Sequence, residues 1–259
     1  MVDSHIQMPK LVMRNFTNSN AELFYFDFER NLVQKGHPKS LYTEHGYYSD
    51  YVEDFLSREV ESRLGVLLKY LKNTSFDKDC NPPKDYEETS FIYVYSLLTR
   101  SPSFLSEICN VELFQLFDDI DKHDIVARDV LLMANKNKLL KGYEVAFFDN
   151  ISAEVLVLPT SGIIQLRDKL LCPISPYRAI VFIKKQEKIE DKNDENLEIK
   201  LIETEDVDSI HQINIQAFKQ EDKNDRKYVV SNNKELLSGI YCELNMLEEN
   251  NSGAKNGKC

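Results

Sequence analysis

The sequence lacks the residue patterns of the most familiar nucleotide and zinc sites. Tryptophan is absent, glycine occurs only eight times, and the five cysteines form no C-x-x-C pair. So few glycines leave little material for loops that cradle phosphate, and no P-loop, dinucleotide fingerprint or H-E-x-x-H motif occurs. We therefore expect no cofactor and no metal site, and we expect thiols that are reduced and mostly buried.

The chain also lacks long apolar runs and clustered positive charge. No stretch of about 18 apolar residues occurs, and the N-terminus MVDSHIQMPK lacks the apolar segment of a secretory signal, so we predict a cytoplasmic protein without a membrane helix. The net charge of −11 repels phosphate backbones at long range, and no Lys- or Arg-rich stretch with interleaved aromatics occurs. These features argue against nucleic acid as a generic partner and leave another protein as the partner to consider.

The spacing of apolar residues predicts an N-terminal β-hairpin followed by a helical middle. LVMRNFT (Leu11 to Thr17) and ELFYFDFER (Glu22 to Arg30) are rich in β-formers and flank the turn-forming NSNA. From about residue 49 to 142 the pattern favours helices, the first with Ser49 as N-cap and apolar residues at three- and four-residue steps. A bundle of about four helices is predicted, one of them beginning at Ser101.

The second half of the chain has a different pattern. Residues 143 to about 203 form short β-rich runs separated by Asn, Pro and Ser, and two helices are predicted after them. The fold class is therefore predicted to be α+β, in a single domain of residues 1–247 with a disordered tail at 248–259. We also predict that the N-terminal hairpin and the strand at Arg178 to Ile183 belong to one sheet on which the helices pack.

Several short motifs occur in an order that resembles one bacterial family. They are HIQMPKLVMRNFT, LFYFDFER, GYYSDYVEDFLSREVESRLGVLLKYL, TRSP, PTSGIIQL and CPISPYRAIVFI. The family is a bacterial domain of unknown function whose members often begin His-Tyr-Val-Pro-Gln-x-Tyr-Leu and carry a Thr-Ser-Asp-Asn-Pro turn. The resemblance spans about residues 5 to 240 and implies that this chain is a divergent member.

Two positions depart from the family pattern. Alignment of Pro9 with the family proline places Ile6, not His5, at the family histidine. Gly162 stands where the family turn carries an Asp, so this chain has no ionisable group there to act as a base or as a metal ligand. The resemblance therefore implies that this turn has lost its acid.

Four ionisable residues form the sharpest candidate for a catalytic site: His5, Glu53, Glu61 and Arg100. Two carboxylates and an Arg can position a polar or phosphate-bearing substrate while a His exchanges a proton. However, Glu53 and Glu61 lie about 80 degrees apart around an ideal helix, so they do not bind one metal without other ligands. The alternative interpretation is that Glu61 and Arg100 form a buried ion pair that fixes the register of the helices.

Two other stretches are candidate ligand sites. In YTEHGYYSD, Tyr47 and Tyr48 follow His45, and this set either lines a pocket for a base or sugar or packs as a loop before the next helix. In the PTSG turn, Thr160 and Ser161 are the candidate ligand contacts. Neither stretch carries a G-x-S-x-G nucleophile elbow.

These observations leave different function classes open. Because the acid is lost at Gly162 and the chain is acidic, we interpret it first as a non-catalytic binding or regulatory module. The alternative, implied by the resemblance, is a phage-defence or toxin-like effector that acts on nucleic acid or nucleotides. A third is a sensor that binds a small ligand through the clustered tyrosines. Convergence of His5, Glu61 and Arg100 on a solvent-reachable pocket would favour the effector, and burial in a dry core would favour the binding module.

Overall fold

The fold combines helices and sheets, as the α+β prediction requires. A computed structural model describes residues 3–5, 8–41, 43–73, 82–101, 104, 107, 118–185, 200–222 and 228–253. Within these ranges the strands form a two-stranded ribbon, a four-stranded sheet and a five-stranded sheet. Helices pack on both sides of the two larger sheets.

The N-terminal part contains a β-hairpin. After β1 (Asp3–His5), the strands β2 (Leu23–Asp27) and β3 (Leu32–Gly36) pair antiparallel and form this hairpin. β1 itself pairs antiparallel with β4 (Thr43–His45), which follows the hairpin. The side chain of Asp27 accepts a hydrogen bond from Glu29 N at 3.0 Å and so fixes the start of the hairpin turn.

The segment that we predicted as the first strand of the hairpin is helical, so that prediction is wrong. α1 (Lys10–Met13) leads into a 3-10 turn (Arg14–Phe16). Val12, Met13 and Phe16 are all fully buried. This spacing covers one face of a helix but both faces of a strand. Burial of one helical face therefore outweighs the β-propensity of LVMRNFT.

The helical middle begins with one long helix that contains a π-helical segment. α2 (Asp50–Leu56), the π-helical segment (Ser57–Ser62) and α3 (Arg63–Asn73) follow one another without a break. The predicted N-cap is confirmed, because the Ser49 side chain accepts a hydrogen bond from Val52 N at 3.4 Å.

Further helices pack beside this long helix. They are α4 (Tyr86–Thr99), α5 (Asp119–Asp124), a second π-helical segment (Ile125–Val130) and α6 (Leu131–Lys136). α4 is buried on nearly every side, as its apolar composition predicted. The helix predicted from Ser101 falls largely outside the described residues, but Ser101 Oγ accepts a hydrogen bond from Phe104 N at 3.3 Å, as an N-cap does.

The second half supplies most strands and the last helices. In chain order they are β5 (Tyr143–Asn150), β6 (Leu158–Pro159), β7 (Ile164–Gln165), β8 (Lys169–Ser175), β9 (Arg178–Lys184), β10 (Lys200–Thr204), α7 (Val207–Asp222), β11 (Tyr228–Ser231) and α8 (Lys234–Gly253). The five-stranded sheet has the order β10-β5-β9-β8-β7, and the four-stranded sheet has the order β3-β2-β11-β6. Our prediction that the hairpin and the strand at Arg178 to Ile183 share a sheet is wrong, because β2 pairs with β11 whereas β9 lies between β5 and β8.

Residues of both larger sheets alternate between the same two cores. Along β5, Val145 and Phe147 pack in the core that contains α3 and α4, whereas Ala146 packs in the core that contains α7 and α8. Along β11, Val230 belongs to the first core and Val229 to the second. The two sheets therefore separate the helical bundle from the last two helices.

The late helices agree with the sequence pattern. Ile210, Asn214 and Phe218 lie fully buried on one face of α7, whereas Val207 at its start is exposed. α8 extends to Gly253, past residue 248 where we placed the start of the tail, because each residue added to a formed helix gains a hydrogen bond. Residues 254–259 lie outside the described part of the chain.

Candidate functional site

Glu53, Glu61 and Arg100 come together where the first π-helical segment packs against α4. Arg100 is the C-cap residue of α4, is 2% exposed, and donates a hydrogen bond from Nε to Ser96 O at 3.3 Å. Glu53 lies on α2, and Glu61 lies in the π-helical segment. The side chain of His5, the fourth predicted member, lies outside the described part of the structure.

The π-helical segment explains how Glu53 and Glu61 come to lie on one face. In an ideal helix, eight residues leave the two side chains about 80 degrees apart. A π turn accommodates one extra residue, so about seven α-helical steps separate them and the angle falls to about 20 degrees. Their charges therefore interact, which the sequence argument from ideal helix geometry did not predict.

Burial dominates the electrostatics of this cluster. It raises the pKa of Glu61, while the nearby Arg100 charge opposes the rise and the Glu53 charge adds to it. Burial also raises the pKa of Tyr48, which is 2% exposed. Among the described residues, Oε1 of Glu53 has no hydrogen-bond partner although it is buried. The side chains of Arg100 and Tyr48 are therefore closed to a substrate in this structure.

The tyrosine-rich loop before α2 packs against α5. The ring of Tyr47 stacks on His123 with centroids 3.8 Å apart and an interplanar angle of 10°. Asp124 accepts a hydrogen bond from Ser49 N at 3.0 Å and so anchors the start of α2. These contacts correspond to the packed-loop interpretation of Tyr47, whereas the side chain of His45 lies outside the described residues.

The hydroxyls of the PTSG turn make local structural contacts. Thr160 Oγ1 donates a hydrogen bond to Tyr228 O at 2.6 Å and accepts one from Tyr228 N at 3.1 Å, so it extends the pairing of β6 with β11. Ser161 Oγ donates to Ile163 O at 2.9 Å, within the turn. These bonds give both predicted ligand contacts a role in holding the turn.

Gly162 is required by the packing of this turn. Its φ is 68°, in the left-handed region that favours glycine. A Cβ at this position would lie 2.5 Å from Met8 Cε and 2.9 Å from Leu97 Cδ1. The turn therefore has no room for an Asp side chain at position 162 unless Met8 and Leu97 move.

A cavity of about 540 Å³ opens to solvent where the turn after α1, the end of α3 and the turn between β8 and β9 meet. Its polar lining includes Arg14, Lys72, Asp149, Tyr177, Arg178 and Asn232. Arg178 donates to both carboxylate oxygens of Asp149, at 3.1 and 3.3 Å. The cavity lies apart from the Glu61 and Arg100 cluster, and it combines open space with fixed polar groups.

Sequence reasoning did not predict this cavity. The CPISPYR stretch, one of the motifs of the family resemblance, contributes the wall from Ile174 to Arg178. Arg14 comes from HIQMPKLVMRNFT, a second motif of the resemblance, whereas Lys72, Asp149 and Asn232 come from segments outside the motifs. The positions of the CPISPYR and HIQMPKLVMRNFT motifs are the sequence signals that could have pointed to this region.

A second cavity, of about 630 Å³, lies between α4, α6 and β5. Charges of both signs line it, among them Glu87, Glu88, Lys136 and Lys141. Such a mixed lining selects for neither anions nor cations.

A buried polar network joins α7 to the loop before β6. Asn214 Nδ2 donates to Glu154 Oε1 and to Val155 O, both at 2.8 Å, and Asn214 Oδ1 accepts from Val157 N at 3.0 Å. Asn214 thus satisfies backbone groups that would otherwise be buried without partners. Glu154 also contacts His211 on the same helix.

Comparison of the chain with family models, with curated proteins and with solved structures found no match. Within the described ranges, no helix combines the length and apolar character needed to cross a membrane. In the same ranges, no group of three or more His, Cys, Asp or Glu side chains is arranged to hold a metal ion.

Proposed function

We propose that this chain is a non-catalytic binding or regulatory module. The observation that carries the proposal is the separation of the buried charged cluster at Arg100 from the solvent-open cavity lined by Arg14 and Arg178. The groups with catalytic potential lie between helices, with Arg100 only 2% exposed, whereas the solvent-open cavity is walled by groups suited to positioning a ligand. Buried charges of this kind serve to fix how helices pack.

The family resemblance and the cellular setting belong to the same proposal. We propose a divergent member of the bacterial family, acting in the cytoplasm, with another protein as a partner. The close approach of Met8 and Leu97 to Gly162 supports the divergence, because this packing fits a turn without the family Asp.

One observation favours the alternative, an effector that acts on nucleic acid or nucleotides. Burial raises the pKa of Glu61, which lies in a π-helical segment, and both features recur at functional sites. A carboxyl whose pKa is raised by burial is better suited to donate a proton than an exposed carboxyl, and this supports a role for Glu61 as an acid.

Replacement of Glu61 by Gln tests the choice between the two functions. We would express the wild type, Glu61→Gln and Glu59→Gln in a bacterial host, follow growth with and without phage, and measure the melting temperature of each purified protein. Glu59 is the matched control because it lies in the same π-helical segment with an exposed side chain. The binding module predicts that Glu61→Gln lowers the melting temperature, because this charge helps to fix how the helices pack, and that the wild type changes neither growth nor phage infection. A wild type that slows growth or protects against phage, together with a stable Glu61→Gln that does neither, would overturn the proposal.

A further inference from the structure

The cavity between the turn after α1, the end of α3 and the turn between β8 and β9 carries an excess of positive charge. Arg14, Lys72 and Arg178 are its described cationic lining residues, and Asp149 is the described acidic one. This excess stands out in a chain whose net charge is −11. An excess of one sign of charge in a cleft raises the local concentration of ligands of the opposite sign.

Hydrogen bonds hold the walls of the cavity in place. Asn15 Nδ2 donates to Ile174 O at 2.9 Å and ties the turn after α1 to β8. Thr17 Oγ1 donates to Arg14 O at 2.9 Å, which fixes the backbone that carries the Arg14 side chain. The paired hydrogen bonds to Asp149 orient Arg178 from the opposite side. A preformed site loses less conformational entropy when a ligand binds.

The cavity also contains an acceptor that is not used within the described structure. Asn232 lines the cavity, and its Oδ1 is buried without a hydrogen-bond partner among the described residues. A buried acceptor without a donor is costly, so a ligand that brings a hydroxyl or amine donor gains from filling this position. Asn232 follows β11, which places it in a wall of the cavity separate from Arg14 and Lys72.

We infer that this cavity binds a small molecule that carries a phosphate or carboxylate group together with at least one hydroxyl or amine donor. The inference rests on the proposed function, because it supplies the ligand of the binding module. Arg14 and Lys72 attract the anionic group, and Asn232 Oδ1 accepts from the donor. The volume of about 540 Å³ lies within the range of small-molecule sites.

Calorimetric titrations at low ionic strength test this inference with three probes: inorganic phosphate, ribose 5-phosphate and malate. Ribose 5-phosphate carries a phosphate group and malate carries carboxylate groups, so these two probes show which anionic group the cavity binds. Inorganic phosphate is the comparison, because it is an anion without a hydroxyl or amine donor on a carbon atom. The wild type should bind ribose 5-phosphate or malate more tightly than inorganic phosphate. The double variant Arg14→Ala/Lys72→Ala should weaken that binding at least about tenfold, because both attracting charges are lost.

Two further variants make the test specific. Arg58→Ala/Lys219→Ala removes the same number of charges from exposed positions that do not line this cavity, so it should keep wild-type affinity. Asn232→Leu removes the acceptor for the hydroxyl donor. Its affinity for ribose 5-phosphate or malate, whichever binds the wild type more tightly, should therefore fall to the affinity for inorganic phosphate.

Two outcomes would overturn the inference. Equal binding by the wild type and by Arg14→Ala/Lys72→Ala would place the anion elsewhere, and no binding of any of the three probes would exclude this ligand class. Neither outcome decides the proposed function, which stands or falls with the growth and phage-infection behaviour of Glu61→Gln.

Discussion

His211 Nε2 lies 2.7 Å from Glu243 Oε2, and this contact joins α7 to α8. The other ring nitrogen, Nδ1, lies 3.1 Å from Glu154 Oε1. A carboxylate at each nitrogen favours the imidazolium, which donates from both. Through its two N–H groups, the His211 imidazolium therefore links α7 to α8 and to the loop before β6.

We predict that the stability contributed by His211 is lost as pH rises. The hydrogen bond with Glu243 raises the pKa of His211, burial opposes the rise, and Glu154 adds to it. Because the folded-state pKa lies above the unfolded value near about 6.5, the contribution is fully present below that pH and is lost as pH rises through the raised pKa.

Urea denaturation between about pH 5.5 and about pH 9 measures this effect. The free energy of unfolding of the wild type should fall more steeply with rising pH than that of His211→Gln. His37→Gln, at an exposed histidine, is the control and should keep the wild-type slope. Parallel profiles for the wild type and His211→Gln would contradict the assignment.

We predict that Gly162→Ala destabilises the fold by about 2–4 kcal/mol, from a positive φ and from overpacking against Met8 and Leu97. Gly239→Ala is the matched control, because it lies within α8 with open space around its Cβ position. That change should be neutral or stabilise by up to about 1 kcal/mol. Chemical denaturation of the two variants measures both values, and equal effects would count against the role given to Gly162.

We predict that Arg100→Ala costs about 3–5 kcal/mol of unfolding free energy, because it removes the positive charge that most favours the ionised form of Glu61. Arg128→Ala is the control, since its pair with Asp129, at 2.7 Å, is substantially exposed. Such a pair contributes about 1 kcal/mol or less. A loss at Arg100 no larger than that at Arg128 would show that the buried cluster does not stabilise the helices.

We predict that Asn214→Leu costs about 2–4 kcal/mol, although Leu is apolar and similar in size. The change leaves Val157 N and Val155 O buried without their present partner. Gln216→Leu, on the same helix, removes a longer exposed hydrogen bond of 3.4 Å to Gln165 O and should cost about 1 kcal/mol or less. Thermal unfolding of both variants provides the comparison.

The sequence predicted the helices correctly where the local pattern of apolar residues agrees with their burial in the fold. The N-cap Ser49 is a local feature, and so are the apolar residues at three- and four-residue steps that are buried along α2 and α3. The sequence failed at LVMRNFT, where β-propensity pointed to a strand but Val12, Met13 and Phe16 are buried on one helical face.

The candidate sites were harder to predict because they depend on non-local geometry. The sequence named Glu61 and Arg100, but ideal helix spacing separated Glu61 from Glu53, and only the π-helical segment places them on one face. The pairing of strands into two sheets likewise depends on β11, a four-residue strand far from β2 in sequence. Neither feature has a signal in a single local window.

The walls of the cavity run from Arg14 near one end of the chain to Asn232 near the other. No fragment that ends before β11 retains the complete site, so the cavity depends on residues from Arg14 through Asn232. A ligand held there stabilises the native state without binding the unfolded chain, and its occupancy therefore rises and falls with global folding. The same feature makes a truncated or misfolded copy unable to compete for that ligand.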